Sequence, residues 1–152
     1  MFDLDQELDQ VRSVLDDQQI EYALCGGLAM AVHGAPRATV DIDLLVNGDD
    51  VERIETVAAP LGFKIKAHPM SFSGGAVKIR RVSKIDPDDG EVLMLDLLLV
   101  TPEVASAWSS REIRSWRGRP LGVVSKEGLV TLKTFRLSDQ DRADIARLQE
   151  DI

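Results

Sequence analysis

The chain has 152 residues, enough for one domain with an apolar core. Its composition, 44% hydrophobic and 29% charged, is that of an ordinary globular protein, and the single cysteine, Cys25, excludes a disulfide framework. A net charge of −8 argues against broad nonspecific affinity for nucleic acid.

In chain order, Leu4, Leu8, Val11, Val14 and Leu15 have the spacing of an amphipathic helix over residues 3–19. A short strand over 21–25 is broken by Gly26-Gly27, and a short helix over 28–33 is closed by Gly34 and Pro36. Residues 40–46 form the next strand, followed by the turn Asn47-Gly48-Asp49-Asp50 and a helix over 51–61 with Gly62 just past its end. Strands are expected over 63–67 and 76–82, and residues 92–100 form the most apolar strand of the chain. Thr101 and Pro102 open a helix, residues 111–124 suit a hairpin around Gly118, and helices start at Ser125 and near Ser138. Strands and helices without strict βαβ alternation predict an α+β fold: one domain over 1–152, a mixed β-sheet core flanked by helices, with C-terminal helices.

No apolar run is long enough to span a bilayer, and the N-terminus is acidic where a signal peptide is basic, so no membrane partner and a cytoplasmic protein are expected. Charge is uneven. Seven acids fall within residues 1–21, whereas residues 64–84 hold six Lys or Arg and no acid. Arg111, Arg114, Arg117 and Arg119 form a second basic group, able to hold an RNA backbone beside Trp116 or simply to solvate a hairpin. On the strand over 76–82, alternation puts Lys78 and Arg80 on one face, where they could line a cleft.

The chemistry concentrates in Val40-Asp41-Ile42-Asp43-Leu44-Leu45-Val46. Residues i and i+2 of a strand share a face, so Asp41 and Asp43 stand side by side, roughly 6–7 Å apart along the chain. Two such carboxylates repel, and a divalent cation with a taste for hard oxygen ligands, Mg²⁺ or Mn²⁺, offsets that cost. Alone, Asp-X-Asp better fits an edge strand with a wet polar face, because so short a match often arises by chance. Asp96 sits in the apolar strand over 92–100, where an ionised carboxylate needs a partner: an arginine or backbone amides if structural, a metal if catalytic. Three acids on adjacent strands can hold two metals for an in-line phosphoryl displacement. Gly26 and Gly27, at a strand-to-helix junction, allow backbone to approach a phosphate.

Cys25-Gly26-Gly27-Leu28-Ala29, His33-Gly34, Arg37-Ala38-Thr39 and Asp41-Ile42-Asp43-Leu44 together resemble the signature of the DNA polymerase β-type nucleotidyltransferase superfamily. The segment from Gly26 to Val46 is most similar to minimal prokaryotic members, the AbiEii-like toxin nucleotidyltransferases of toxin–antitoxin systems. The resemblance implies transfer of a nucleoside monophosphate from an NTP such as ATP to a macromolecular hydroxyl, of RNA or protein, with release of pyrophosphate. It places Asp41 and Asp43 on the metals, makes Asp96 the third carboxylate, and sets Gly26 and Gly27 along the triphosphate. Leu132-Lys133, Asp141 and Asp144-Ile145 resemble a helix pair of the same group, in which Lys133 reaches phosphate oxygens; its alternative is a surface lysine. A basic residue usual five positions later is Ser138 here, and Arg136 is its available substitute. Arg37 is read as a nucleotide-side cation or a partner of Asp41 or Asp43, and His33 as structural. A cognate regulatory protein is a candidate partner. The rival readings are a noncatalytic relative that binds nucleotide or a partner, and a metal-dependent phosphohydrolase.

Overall fold

The computed structural model describes residues 1–136 and 138–150. The first helix, α1 (Leu4–Asp17), starts where the Asp3 carboxylate accepts from the Gln6 amide at 3.2 Å, and it buries Leu8, Val11 and Leu15. Strand β1 (Ala23–Cys25) runs directly into α2 (Gly26–Val32). Strand β2 (Asp41–Val46) leads through a 3₁₀ turn to α3 (Val51–Ala58), whose extension stops at Gly62 with φ of 107°. Strands β3 (Ile65–Lys66), β4 (Met70–Phe72), β5 (Val77–Ile85) and β6 (Val92–Leu99) follow. After α4 (Ala105–Ser109) come the hairpin β7 (Glu112–Trp116) and β8 (Arg119–Val123), then α5 (Lys126–Arg136) and α6 (Asp139–Glu150).

Among the described residues the strands form one mixed sheet in the order β3-β5-β6-β2-β1-β8-β7, with β4 paired to β5. The central ribbon is parallel at β2–β6 and at β1–β8, and antiparallel elsewhere. Because register partners share a face, Ile42, Leu95 and Val82 project together, with Lys84 further along. That side is covered by α1, whose Glu7 pairs with Lys84, and by α3 against α1. The other face meets α5 and α6. The core is continuous through the sheet, from Leu8 and Ile54 through Leu44 and Leu95 to Leu129 and Leu148.

The α+β fold read from the sequence is the fold found, and every expected helix is present. Strand β4 was not expected: Met70-Ser71-Phe72 is mostly exposed and too short to carry an alternation signal.

Candidate active site

Strand register builds the site. Parallel pairing sets Asp43 opposite Asp96 and Asp41 opposite Met94, and antiparallel pairing sets Arg81 opposite Asp96. Asp41, Asp43, Asp96 and Arg81 therefore leave the sheet on the α5 side, on strands about 4.8 Å apart. Asp96 is buried. Arg81 donates to both of its oxygens, Nε to Oδ1 at 2.7 Å and Nη2 to Oδ2 at 2.9 Å. That contact holds the Arg81 guanidinium above its ordinary pKa.

Asp43 has no such cation. Burial first, then repulsion from Asp96 and Asp41, pushes its carboxyl up to about 7. Burial and Asp96 raise Asp41 as well, and its Oδ1 is buried with no hydrogen-bond partner. Arg136 lines the small hollow beneath Asp43 together with Gly26 and Lys133, and its charge offsets part of the repulsion on Asp43.

The glycines fit this packing closely. Gly26 has φ of +68°, and a Cβ there would overlap the Asp43 carboxylate, standing 2.7 Å from its Cγ. A Cβ on Gly27 would stand 2.6 Å from Thr39 Oγ1 and 3.1 Å from an Arg37 nitrogen. The bare backbone at the start of α2 is thus what lets the loop over 37–39 and strand β2 close on it.

The other two cations expected at the site are tied to a fourth acid. Asp144 is fully buried and accepts from Arg37 Nε at 2.9 and 3.1 Å, from Lys133 Nζ at 2.8 Å and from Gln140 Nε2 at 2.8 Å. Burial alone would raise its pKa, but these three donors outweigh it and hold Asp144 below the ordinary carboxylate range. Lys133 is therefore buried rather than a surface residue, and Arg37 pairs with α6 rather than with Asp41 or Asp43.

Several other residues fall where they were expected. His33 Nε2 lies 2.7 Å from the Val124 carbonyl oxygen, a structural contact. Cys25 is buried, which pushes its thiol well above the ordinary range and leaves no nucleophile. Two expectations change. Arg81, not Lys78 or Arg80, faces the carboxylates, because β5 pairs with β6 in the register that sets Arg81 opposite Asp96. The hairpin arginines are also engaged: Arg111 with Glu21, Arg114 with Glu112, Arg117 with Asp5 and Asp9, and Arg119 with the Ser13 hydroxyl. A cavity of about 620 Å³ beside that hairpin, lined by Tyr22, Glu21, Arg111 and Arg119, contains none of Asp41, Asp43 and Asp96.

The residues present suit a divalent cation at Asp41 and Asp43. Their donors are hard carboxylate oxygens, one is orphaned and buried, and Asp43 is repelled by its neighbours. Among the described residues, no three Asp, Glu, His or Cys side chains converge on a common point, since Asp96 is turned to Arg81. The described helices include none long and apolar enough to cross a membrane.

A mixed sheet carrying acids on adjacent central strands, with a glycine-led helix beside them, has the architecture of a nucleotidyltransferase. The fold is shared with TM1012, a proposed nucleotidyltransferase of Thermotoga maritima (TM-score 0.66, 15% identity, covering 96% of this chain and 91% of that one). It is shared equally with ANT(2″)-Ia solved with adenylyl-2″-tobramycin (TM-score 0.66, 15% identity, 96% and 87% covered). JHP933 from Helicobacter pylori is more distant (TM-score 0.51, 16% identity, 93% and 62% covered). No curated protein sequence matches the chain. The model of one family, described as the nucleotidyl transferase AbiEii toxin of type IV toxin–antitoxin systems, matches residues 10–92. The chain belongs to that family and is a nucleotidyltransferase. The matched segment contains Gly26, Gly27, Arg37, Asp41 and Asp43 and stops short of Asp96 and Lys133.

Proposed function

We propose that this enzyme transfers a nucleoside monophosphate from an NTP to a hydroxyl of RNA or protein, with Mg²⁺ or Mn²⁺ held by Asp41, Asp43 and Asp96. The observation that carries this reading is the register of β2 and β6, which puts Asp43 and Asp96 side by side with Asp41 on the same face. Bound there, the cation would neutralise charge on the triphosphate and lower the acidity barrier of the acceptor hydroxyl.

The rest is the work of the chain. Asp96 accepts the proton of the attacking hydroxyl as the new O–P bond forms at the α-phosphorus and the bond to pyrophosphate breaks. Gly26 and Gly27 leave backbone N–H groups open to the triphosphate. Arg136, exposed at the rim of the hollow beneath Asp43, is a cation well placed to steady the departing pyrophosphate, while Arg37 and Lys133 border it from their anchor on Asp144. A cytoplasmic location, a cognate antitoxin as regulatory partner and a single domain over 1–152 complete the proposal; the antitoxin follows from the family's toxin–antitoxin membership.

The test is incubation with each α-labelled NTP, Mg²⁺ and a cell extract, followed by fractionation into RNA and protein. Label should appear in one macromolecular fraction with pyrophosphate released. Asp41→Asn with Asp43→Asn should abolish it, and Asp96→Asn should reduce it at least about a hundredfold. Free phosphate or NMP without labelled acceptor would indicate a phosphohydrolase instead. The Arg81–Asp96 pair favours one second reading, a noncatalytic relative in which Asp96 is structural. In that case Asp96→Asn would lower stability and no label would transfer even in the parent protein.

A further inference from the structure

Asp96 lies in the middle of a row that crosses three strands: Arg81 on β5, Asp96 on β6, Asp43 on β2. Its carboxylate can be directed to the guanidinium on one side or to the acids on the other. In this structure it is directed wholly to the guanidinium, with both oxygens taken. The three acids do not converge, and Asp41 Oδ1 is buried and unpartnered.

We propose that Arg81 is a positioning residue that competes with the catalytic cation for Asp96, so that the site becomes metal-competent only when Arg81 withdraws. The inference rests on the metal reading above and assigns a role to a residue outside the three acids. One feature makes withdrawal feasible. The Arg81 side chain is 31% exposed while that of Asp96 is 7% exposed, so the cation can move into solvent and the acid stays in place. Exchange of one cation for another leaves Asp96 paired in both states, so it is never an uncompensated buried charge. Arg81 thereby sets the cation concentration at which the enzyme becomes active, and keeps the carboxylates from binding a stray ion in the absence of nucleotide.

The experiment is Mn²⁺ titration by calorimetry, with thermal unfolding in chelator and in saturating Mg²⁺, on the parent protein, Arg81→Met and Arg81→Lys. Arg81→Met should melt lower than the parent in chelator and bind Mn²⁺ about tenfold tighter or more, the scale of a lost charged hydrogen-bond pair. Its gain in melting temperature on adding Mg²⁺ should exceed that of the parent. Should Arg81→Met not fold in chelator, Arg81→Lys, which can hold one oxygen at a time, carries the same expectation with a smaller gain. Equal or weaker Mn²⁺ affinity in both Arg81 variants would overturn the role of Arg81 while leaving the metal reading intact. Failure of both the parent and Arg81→Met to bind Mn²⁺, or undiminished binding by Asp41→Asn with Asp43→Asn, would bring down both.

Discussion

Asp43 is caught between burial and two like charges, and its proton records that position. Held up to about 7 against an ordinary 3.8, it keeps a proton in the folded, cation-free protein over a range where the unfolded chain has already lost it. The stabilisation from that bound proton is complete below about pH 4 and is lost as pH rises through 7. Denaturant midpoints taken in chelator should therefore decline from pH 4 to 7, and Asp43→Asn should flatten the decline. A cation held by Asp43 as proposed would expel the same proton, so titration at pH 6 in buffers of different ionisation heat should register about one proton released. At Gly26, substitution by Ala meets both a left-handed backbone and the Asp43 carboxylate. The backbone alone costs roughly 1–2 kcal/mol, so Gly26→Ala should lower urea stability by at least that much and displace Asp43, with loss of transfer. The Asp41/Asp43 pair was legible because two-residue periodicity needs only local sequence. The partner of Asp96 was not, since Arg80 and Arg81 are both in the sequence and only the β5–β6 register chooses between them.

The C-terminal helix pair is organised around one buried acid. Asp144 on α6 draws Lys133 from α5 and Arg37 from the loop before β2, and so ties the helix pair to the loop leading into the carboxylate strand. Removing it leaves two cations with a shared partner gone. Asp144→Ala should cost about 3–5 kcal/mol in chemical denaturation, the scale for breaking a buried pair. Lys133→Met with Asp144→Met, which removes acid and amine together, should recover part of that loss. The start of α6 is closed reciprocally, with the Ser138 hydroxyl donating to Asp141 and the Asp141 amide to Ser138. Ser138 is thus a cap rather than a missing phosphate contact. Helices were readable from their apolar stripes, but which cation meets which acid across three segments is a tertiary decision that no stripe encodes. The hairpin at 111–124 was readable from its glycine; the polar, exposed β4 had no signal to read.

Over the whole molecule, the basic residues are spent largely inside the protein. The hairpin arginines answer the acids of α1 and their own strand, which undercuts an RNA-binding role for that cluster. Because these pairs are exposed, each is worth at most about 1 kcal/mol. Arg114→Ser, Arg117→Ser and Arg119→Ser together should therefore change stability modestly and leave NTP affinity unaltered in calorimetry. A marked loss of salt-dependent acceptor binding would restore the RNA reading of the hairpin. The fold class followed from the mix of strand and helix patterns. The strand order did not, because the parallel pairings β1–β8 and β2–β6 join segments far apart in the chain, and local periodicity is silent about partners.

That parallel pairing has a consequence in time. Asp43 and Asp96 meet only after the chain has turned through β3, β4 and β5, and the anchor of Lys133 and Arg37 comes later still, on α6. A growing polypeptide holds the first two carboxylates long before it holds anything for them to act with. On the roles proposed above, a fragment that stops before β6 lacks the third carboxylate and should transfer no nucleotide, and Lys133 and Arg37 are anchored only once the final helix is in place. Loop closure over such distances is slow compared with helix formation, so the proposed site should be completed late in folding.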